Sequence, residues 1–371
     1  MIDGAYFEGN KLKEVRVAIA GVGNCASALV QGVKYYQHSK EDERVPGLMH
    51  VNFGGYHIRD IKFVAAFEVN TKKIGKDLSD AIFAEPNCCE IFADNLKPLN
   101  VKVLPGPIAD GVAPHMVDSF HCYDPDIIEP VDVASILRET KANVVINYLP
   151  VGSKEGTKLY AQAALEAGCA FINCIPEFIA SEKTWAERFE RRGIPIAGDD
   201  IKSQVGATIA HRALVKLFLD RGVRIDETYQ LNIGGNTDFE NMTVEARLKT
   251  KRVSKTEAVT SLVPYPTPTR IGPSDYVKFL GDKKICYIWL KGRKFGDVPV
   301  TVQLKLSVED SPNSAGVVID VIRAVKLALD RGVGGPLTSI SSYAFKHPPE
   351  QIKDSVAHVH VEEFIEGKRE R

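Results

Sequence analysis

The stretch that decides the fold is VRVAIAGVGNCASALV, residues 15–30. Its first six residues are mostly small or β-branched and apolar, which predicts a buried parallel strand that turns into a helix. The motif is G-x-G-x-x-A: Gly21 suits the tight turn, Gly23 lets a pyrophosphate approach the backbone, and Ala26 replaces the usual third glycine. The pattern predicts a dinucleotide site at a helix N-terminus, although a tight turn without a ligand has the same pattern.

Length and composition are those of a globular protein with room for two domains. The chain has 371 residues, 44% of them hydrophobic, and 47 basic and 48 acidic residues give a net charge of -1. Balanced charge does not favour nucleic acid, and no run approaches the roughly 18 apolar residues of a membrane span. Residues 1–14 lack the apolar core of a signal peptide. We therefore expect a cytoplasmic protein with no nucleic-acid or membrane partner.

Buried strands and amphipathic helices alternate from Val15 to Asp220, which predicts an α/β fold with a Rossmann-like, doubly wound parallel sheet. After Arg224 the pattern changes to strands of antiparallel type and a helix over 238–251, which predicts an inserted, smaller α+β sheet domain. An apolar helix over 314–330 is expected to return to the first core. The expected units are a dinucleotide-binding domain (1–225), an inserted sheet domain (226–310) and a C-terminal segment that returns to the first domain (311–371).

Two acidic residues compete for the ribose of a bound dinucleotide. A charged excursion over 37–56 delays the second strand, so that Glu68 ends it well beyond the glycine turn. Asp77 follows in a polar segment and is the alternative. An acid at this place disfavours the 2′-phosphate of NADP, so that NAD is the expected cofactor.

A polar cluster over 198–208 contains Asp199, Asp200, Lys202 and Ser203 at the carboxyl edge of a strand and the first turn of a helix. Such a cluster suits a nicotinamide ribose, a phosphate or a metal ion, whereas Asp200 and Ser203 can also be simple helix caps. The side chains of Asp199, Asp200 and Gln204 crowd one ligand-facing edge, which favours the functional interpretation.

A second cluster is basic and lies in the smaller domain. Lys249, Lys251 and Lys255 are close in sequence, and further cations, with one acid, come from the same region (Lys283, Lys284, Lys305 and Asp310). A lysine run is usually a solvated helix face. Lysines that converge near a dinucleotide instead suit a phosphorylated sugar, because some hold the phosphate and a desolvated one moves protons near neutral pH.

Six motifs carry a resemblance to a known family. They are GVGNCAS (21–27), NYLPVGS (147–153), GDDIKSQ (198–204), NIGGN (232–236), SKT (254–256) and DSPNSAGV (310–317). With them the chain resembles myo-inositol-1-phosphate synthase in its shorter bacterial form, over residues 15–344. The resemblance implies a homotetramer with an NAD-binding domain and an interrupting sheet domain that covers the active site and builds subunit contacts.

The resemblance also implies site residues. The implied cofactor contacts are Gly21, Gly23, Asn24, Cys25, Ala26, Asp77, Pro150, Tyr160, Asp200 and Ser203. The implied active-site residues are Lys216, Lys255, Lys284 and Asp310, to which the motifs add Asp200, Lys251 and Asn236. The longer eukaryotic enzymes have Lys-Ser-Gly-Gln-Thr-Lys where this chain has the different sequence 202–208, so the counterpart of the last lysine is open.

The implied reaction converts glucose 6-phosphate to 1L-myo-inositol 1-phosphate, with NAD, by oxidation at C5, enolisation at C6, aldol closure onto C1 and reduction. Fixed ammonium groups stabilise the negative charge on the enolate and on the aldol alkoxide. We expect Lys284 and Lys255 at these oxygens or in proton transfer, Lys216 in support, and Lys251 or Lys249 nearer the phosphate.

Several alternatives stay open at this point. A divalent or monovalent cation at the Asp200 edge is compatible with the sequence, although no histidine cluster has ligand spacing. The chain can also be an NAD-dependent dehydrogenase or epimerase of a phosphorylated sugar. A non-catalytic NAD-sensing regulator is the alternative from another class, but the sequence has no helix-turn-helix pattern or basic arm to support it.

Overall fold

The computed structural model describes residues 13–117, 119–244, 247 and 249–371, so residues 1–12 lie outside the description. The strands are β1 (Val15–Ala20), β2 (Asn52–Phe53), β3 (Tyr56–His57), β4 (Ile61–Glu68), β5 (Val103–Pro105), β6 (Val144–Asn147), β7 (Ala170–Asn173), β8 (Pro195–Gly198), β9 (Arg224–Gly234), β10 (Thr269–Tyr276), β11 (Lys283–Arg293), β12 (Pro299–Glu309) and β13 (Gly335–Pro336). The helices are α1 (Asn24–Tyr35), α2 (Leu78–Ala81), α3 (Val133–Glu139), α4 (Lys154–Ala167), α5 (Lys183–Arg191), α6 (Ala207–Asp220), α7 (Thr237–Asn241), α8 (Lys249–Thr260), α9 (Asp310–Asp330), α10 (Thr338–Ala344) and α11 (Asp354–Ile365).

The larger sheet is parallel throughout and has seven strands in the order β13-β8-β7-β6-β1-β4-β5. The chain order reverses at β1, whose neighbours are β4 on one side and β6 on the other. In open parallel sheets the crevice at such a switch point, beyond the carboxyl ends of the strands, is where ligands bind. The structure therefore confirms the predicted doubly wound sheet and places its crevice beside the glycine turn.

Helices cover both faces of this sheet, as the doubly wound prediction requires. Val17 and Ile19 of β1 pack into one core with Leu29 of α1 and Val321 of α9. The alternate residues of the same strand, Ala18 among them, face the second core, which α3, α4 and α5 cover. Helix α9 thus returns to the first core, as its apolar sequence predicted.

The smaller sheet has four strands in the order β10-β9-β11-β12, with β10 and β9 parallel and the other pairs antiparallel. Helices α6 and α8 cover one face of it, where Val215 and Val259 join Ile288 in a common core. Helix α6 was assigned to the first domain from the sequence, yet it packs on this sheet. The division at residue 225 stays a prediction. On the sheet's other face, Tyr229 and Tyr287 are partly exposed.

Two details differ from the sequence prediction. The expected helix over 238–251 is two helices, α7 and α8, because the chain leaves the first after Asn241, whose side chain donates to the carbonyl of Val151 on the larger domain (2.8 Å). Strand β10 was not predicted, since its glycine and its proline break the apolar alternation. Within the described ranges, no helix is both long and apolar enough to cross a bilayer.

Candidate active site

A cavity opens where the carboxyl ends of the parallel strands face the smaller sheet. Gly21 and Glu68 line it from the ends of β1 and β4, and Asp200 lines it just beyond β8. Asn232 of β9 and Lys284 of β11 line it from the opposite side. The cavity therefore joins the switch point of the first sheet to the basic part of the second.

The two glycines of the turn meet different requirements. Gly21 has φ +91, and a Cβ atom on it would lie 2.7 Å from the carbonyl oxygen of Tyr148, so the backbone itself requires glycine there. Gly23 has φ -91 and caps α1, where a Cβ would meet nothing within 4 Å and no side chain bonds the helix end. Gly23 thus leaves open space at a helix N-terminus that can accept an anion.

The structure separates the two acids that competed for the ribose. Glu68 lines the cavity and accepts hydrogen bonds from the backbone N–H groups of Val22 (3.0 Å) and Val69 (2.8 Å). Asp77 does not line it: its carboxylate caps α2 and holds the backbone N–H groups of Leu99 (3.0 Å) and Val101 (3.1 Å). The expectation that Asp77 contacts the cofactor is therefore corrected, and Glu68 is the acid placed for that contact.

The other implied cofactor residues divide into lining and supporting positions. Cys25, Pro150, Tyr160 and Ser203 line the cavity together with Asn24. The Asn24 side chain also accepts from the backbone N–H groups of residues 88 (2.7 Å) and 89 (3.0 Å), and so fixes the neighbouring loop. Among the lining residues Ala26 is not found, because it faces the core, where a larger side chain would separate α1 from the sheet.

Four lysines and two carboxylates meet in the cavity, and we call them the lysine cluster: Lys251, Lys255, Lys284, Lys346, Asp200 and Asp310. Asp200 lies between two of the cations, with its Oδ1 2.9 Å from Lys346 Nζ and 3.5 Å from Lys251 Nζ.

Asp310 is paired with Lys284, whose Nζ lies 3.1 Å from Oδ1. Because each of these carboxylates is already paired with lysine, the cavity presents cationic groups to an incoming ligand.

Burial and neighbouring charge shift the protonation of the cluster. Burial lowers the pKa of Lys255 to about 7, and the cations of Lys251 and Lys284 act in the same direction. Burial opposes ionisation of Asp200, but Lys251 and Lys346 nevertheless lower its pKa to about 2. Burial opposes the charge of Lys251, but Asp200, Asp238 and Asp310 together raise its pKa. The site thus holds one lysine suited to proton transfer at neutral pH beside a lysine that stays cationic.

Asn236 lines the cavity and also forms hydrogen bonds that hold neighbouring segments in place. Its Oδ1 accepts from the first backbone N–H groups of α7, and its Nδ2 donates to Asp282 (3.0 Å). Asp282 in turn accepts from the backbone N–H (3.0 Å) and the hydroxyl (2.8 Å) of Ser311, the residue after Asp310. Burial raises the pKa of Asp282 to about 6. Asn236 and Asp282 therefore hold the start of α9, where Asp310 pairs with Lys284.

Three polar atoms of the cavity wall are buried without a partner in the described part of the chain: the hydroxyl of Tyr148, Nδ2 of Asn232 and Oγ of Ser314. An unpaired buried polar atom costs free energy, so such atoms are expected where a ligand supplies the missing hydrogen bonds. Within the same ranges, no group of three or more His, Cys, Asp or Glu side chains is arranged to hold a metal ion.

Known proteins are similar to this chain over most of its length. A family model described as myo-inositol-1-phosphate synthase matches residues 206–311. The inositol-3-phosphate synthase of Mycobacterium tuberculosis is 56% identical over 357 residues, which cover 95% of this chain and 96% of that protein. The chain belongs to the myo-inositol-1-phosphate synthase family. The inositol-3-phosphate synthase of Corynebacterium glutamicum is 54% identical over 359 residues, covering 95% of this chain and 98% of that protein.

A solved structure of a myo-inositol-1-phosphate synthase-related protein from Thermotoga maritima has the same fold. It is 24% identical, with a TM-score of 0.78, and the match covers 95% of this chain and 98% of that chain. The family resemblance read from six motifs is thereby confirmed, and so is the fold of this family member.

After Asp77, a second correction to the site that the family resemblance implied concerns Lys216. Lys216 is on the outer face of α6, with 45% of its side chain exposed, and it pairs with Asp220 one turn away. It does not line the cavity. The resemblance predicted which residue type stands at position 216, but not which way that residue faces. The face of α6 that packs on the smaller sheet carries Val215, and Lys216 lies outside that face. The side chain of Lys249 lies outside the described residues.

One cluster member was missed from the sequence. Lys346 follows α10 in a short extended segment, 344–347, whose backbone pairs with residues 199–202. The N–H of Lys346 donates to Asp200 O (2.8 Å), and Nζ donates to Asp200 Oδ1 (2.9 Å). A single lysine after a short helix forms no sequence pattern from which its place in the site can be predicted. Only the long-range pairing of the two segments brings it to Asp200.

Proposed function

We propose that this family member is an NAD-dependent isomerising cyclase that converts glucose 6-phosphate to 1L-myo-inositol 1-phosphate, a precursor of inositol and of phospholipids. The observation that carries the proposal is that the lysine cluster and the glycine turn share one cavity. The names of the Mycobacterium tuberculosis and Corynebacterium glutamicum relatives support it.

The residues present fit NAD. Gly23 leaves space at the N-terminus of α1, a helix of 12 residues, and Glu68 ends the next strand of the sheet beside it. The unpaired hydroxyl of Tyr148 and Nδ2 of Asn232 offer further hydrogen bonds along the wall. When bound, NAD supplies a hydride acceptor and donor for the same sugar carbon, so that the overall conversion has no net oxidation.

Lys255 suits the removal of a proton from C6 of the substrate, which is acidic once C5 is a ketone. With a pKa of about 7, a large fraction of Lys255 is neutral at physiological pH and can accept that proton. The enolate that forms carries negative charge on its oxygen. Lys284 provides a fixed ammonium group for that charge, because Asp310 orients it (3.1 Å) without filling the cavity.

Lys251 suits the phosphate of the substrate. Burial disfavours its charge, but Asp200, Asp238 and Asp310 together raise the pKa of Lys251, so it stays cationic at neutral pH. Lys346, which shares the same carboxylate, can stabilise the alkoxide that develops at C1 when the ring closes. The protonation states divide the roles of the lysines. Lys255, which is largely neutral at physiological pH, moves protons, whereas Lys251 stays charged and holds the phosphate dianion of the substrate.

The bare face of the smaller sheet supports the proposed homotetramer. Tyr229 and Trp289 stack there with ring centroids 5.3 Å apart, and Leu231 and Tyr287 beside them are each 39% exposed. An apolar patch of this kind on a sheet face is typical of subunit contacts. Light scattering should give the mass of four chains for the wild type, and Tyr287→Glu should dissociate the assembly; a monomeric wild type would contradict the proposal.

The test of the reaction uses purified protein with glucose 6-phosphate and NAD+ far below the substrate concentration. We expect inositol phosphate to accumulate over many turnovers without NADH. Stoichiometric NADH would indicate a dehydrogenase, and an open-chain sugar product would indicate an epimerase. NAD binding without any turnover would favour a non-catalytic NAD sensor.

Lys284→Ala should abolish turnover while the dissociation constant for NAD stays unchanged. Lys283→Ala is the matched control, since this neighbouring lysine has 48% of its side chain exposed and pairs with Glu309. Equal activity of the two variants would remove Lys284 from the site.

A further inference from the structure

A second group of charges lies behind the cavity, outside its wall, and consists of two buried cations and a carboxylate side chain that is 32% exposed. Asp354, at the start of α11, accepts from Lys202 Nζ through Oδ1 (3.1 Å) and from Arg212 Nε through Oδ2 (2.6 Å). Lys202 is 2% exposed and Arg212 1%. None of the three lines the cavity. We call these residues the rear triad.

The rear triad holds the segment that carries Lys346. Lys202 Nζ donates to the carbonyl oxygens of Ser342 (2.8 Å) and Tyr343 (3.1 Å), and the Lys202 N–H donates to Ala344 O (2.7 Å). Lys346 comes two residues later. Its position against Asp200 therefore depends on bonds that Lys202 makes from the other side of the segment.

The same triad holds the helix that carries Lys251 and Lys255. Arg212 donates to the carbonyl of Ala258 in α8, less than one turn beyond Lys255, and to Ile352 O (3.1 Å) just before α11. One buried group thus contacts three segments: the 198–202 loop, α8 and the C-terminal segment. These segments supply Asp200, two lysines and Lys346 to the lysine cluster.

Stability alone is a poor reason for this arrangement. Charges removed from water are costly even when paired, and well-packed apolar side chains commonly replace them without loss of stability. What the triad provides is defined geometry, because bonds from Lys202 and Arg212 converge on one carboxylate and on backbone carbonyls. The cluster in front of it needs such geometry, since like-charged lysines tend to separate.

We propose that Lys202, Arg212 and Asp354 are positioning residues, which set Lys346 and the α8 lysines around Asp200 for the cyclisation. The inference rests on the proposed function. It makes the rear triad a determinant of turnover and of the protonation of Lys255, while the glycine turn and its binding of NAD are left unaffected.

The test compares Asp354→Asn and Lys202→Met with the wild type. Asp354→Asn keeps the size of the side chain and removes the charge on which both cations converge. Lys202→Met keeps the pairing of Arg212 with Asp354 and is the second variant, which tests the proposal independently of the first. Because an error of about 1 Å in a catalytic group costs up to about 100-fold in rate, we expect kcat to fall about 10- to 100-fold in each variant, with the NAD dissociation constant unchanged.

The pH profile gives a readout that a purely structural role would not change. Lys255 faces the cations Lys251, Lys284 and Lys346, which oppose its protonation, and Asp200, which favours it. If Lys346 moves away, the pKa of Lys255 rises. The acid limb of kcat, set by deprotonation of Lys255, then moves to higher pH in both variants.

The control is Asp320→Asn. Asp320 is buried on α9, where it pairs with Arg323 and lies 2.6 Å from His50, and it does not line the cavity. Asp320→Asn should lower the melting temperature without changing kcat or the acid limb of the pH profile of kcat. Wild-type kcat and acid limb in folded Asp354→Asn or Lys202→Met would overturn the proposal. The same changes in Asp320→Asn would overturn it as well.

A measurement without substrate separates this inference from the proposed function. Acetylation of Lys255 by acetic anhydride, followed by mass spectrometry as a function of pH, reports its pKa in each variant. If the wild type forms no inositol phosphate, the proposed function fails. A shift of the Lys255 labelling curve to higher pH in the triad variants would still support positioning by the triad, and an unshifted curve would contradict it.

Discussion

Replacement of Lys255 by methionine should stabilise the protein at neutral pH and abolish its turnover. Lys255 is 8% exposed, and burial together with neighbouring cations lowers its pKa to about 7. Methionine has a similar length, fills an irregular space well and carries no charge. The variant therefore removes an unfavourable charge from the folded state and removes the proposed proton acceptor at the same time.

The size of this stabilisation and its pH dependence follow from the difference between the pKa of Lys255 in the folded and in the unfolded chain. A pKa of about 7 in the folded chain, against 10.5 in the unfolded chain, corresponds to a ceiling of about 5 kcal/mol. Below pH 7 the folded state must carry the proton at an unfavourable site, so the full cost is present there. As the pH rises towards 10.5 the unfolded chain loses its proton too, and the cost disappears. The gain from Lys255→Met is therefore largest at pH 6 and falls steadily above pH 7.

Urea unfolding of the wild type and Lys255→Met at pH values from 6 to 9 measures this gain directly. Lys283→Met is the control, because that exposed lysine pairs with Glu309 and its removal should leave the unfolding midpoint nearly constant over the same pH range. A midpoint that falls in Lys255→Met at pH 6, or a gain that does not change with pH, would refute the reasoning.

Three further predictions concern the dinucleotide end of the cavity. Gly21→Ala should lower the unfolding free energy by at least about 1–2 kcal/mol, because φ is +91 and the Cβ meets a backbone carbonyl, whereas Gly23→Ala should keep the melting temperature and weaken NAD binding measured by calorimetry. Cys25→Leu should also raise the NAD dissociation constant, since Cys25 lines the cavity; an unchanged constant would be contrary evidence. Asp77→Asn should destabilise the fold by about 1–3 kcal/mol in chemical unfolding and leave NAD affinity as it is, because the side chain bonds the backbone of Ser79, Leu99 and Val101 and does not line the cavity.

The larger sheet was predictable because its signals are local. A buried strand, a glycine turn and a helix follow one another within 15–30, and the period of apolar residues repeats that unit along the chain. The face of a helix was harder to predict. Lys216 was placed in the site by resemblance, whereas the packing of α6 on the smaller sheet turns it to solvent beside Asp220.

The site was predictable only where its residues lie in motifs. Lys255 and Lys284 were expected there, and both line the cavity. Lys346 could not be found, because backbone pairing between segments almost 150 residues apart in sequence places it. Asp77 offered a readable signal that was overlooked: an acid two residues before a serine is a typical helix cap, and capping is what it does.

The extended segment 344–347 has a consequence for the order in which the protein matures. Its backbone pairs with residues 199–202, and Lys202 contacts Asp354 still further along the chain. During synthesis, the glycine turn and the strands β1 to β8 emerge long before these partners do, so a nascent chain can form much of its dinucleotide crevice early. The lysine cluster is completed last, because Lys346 is its last member in the sequence. Until residue 346 has emerged, Asp200 lacks Lys346, so the lysine cluster is incomplete in any shorter nascent chain.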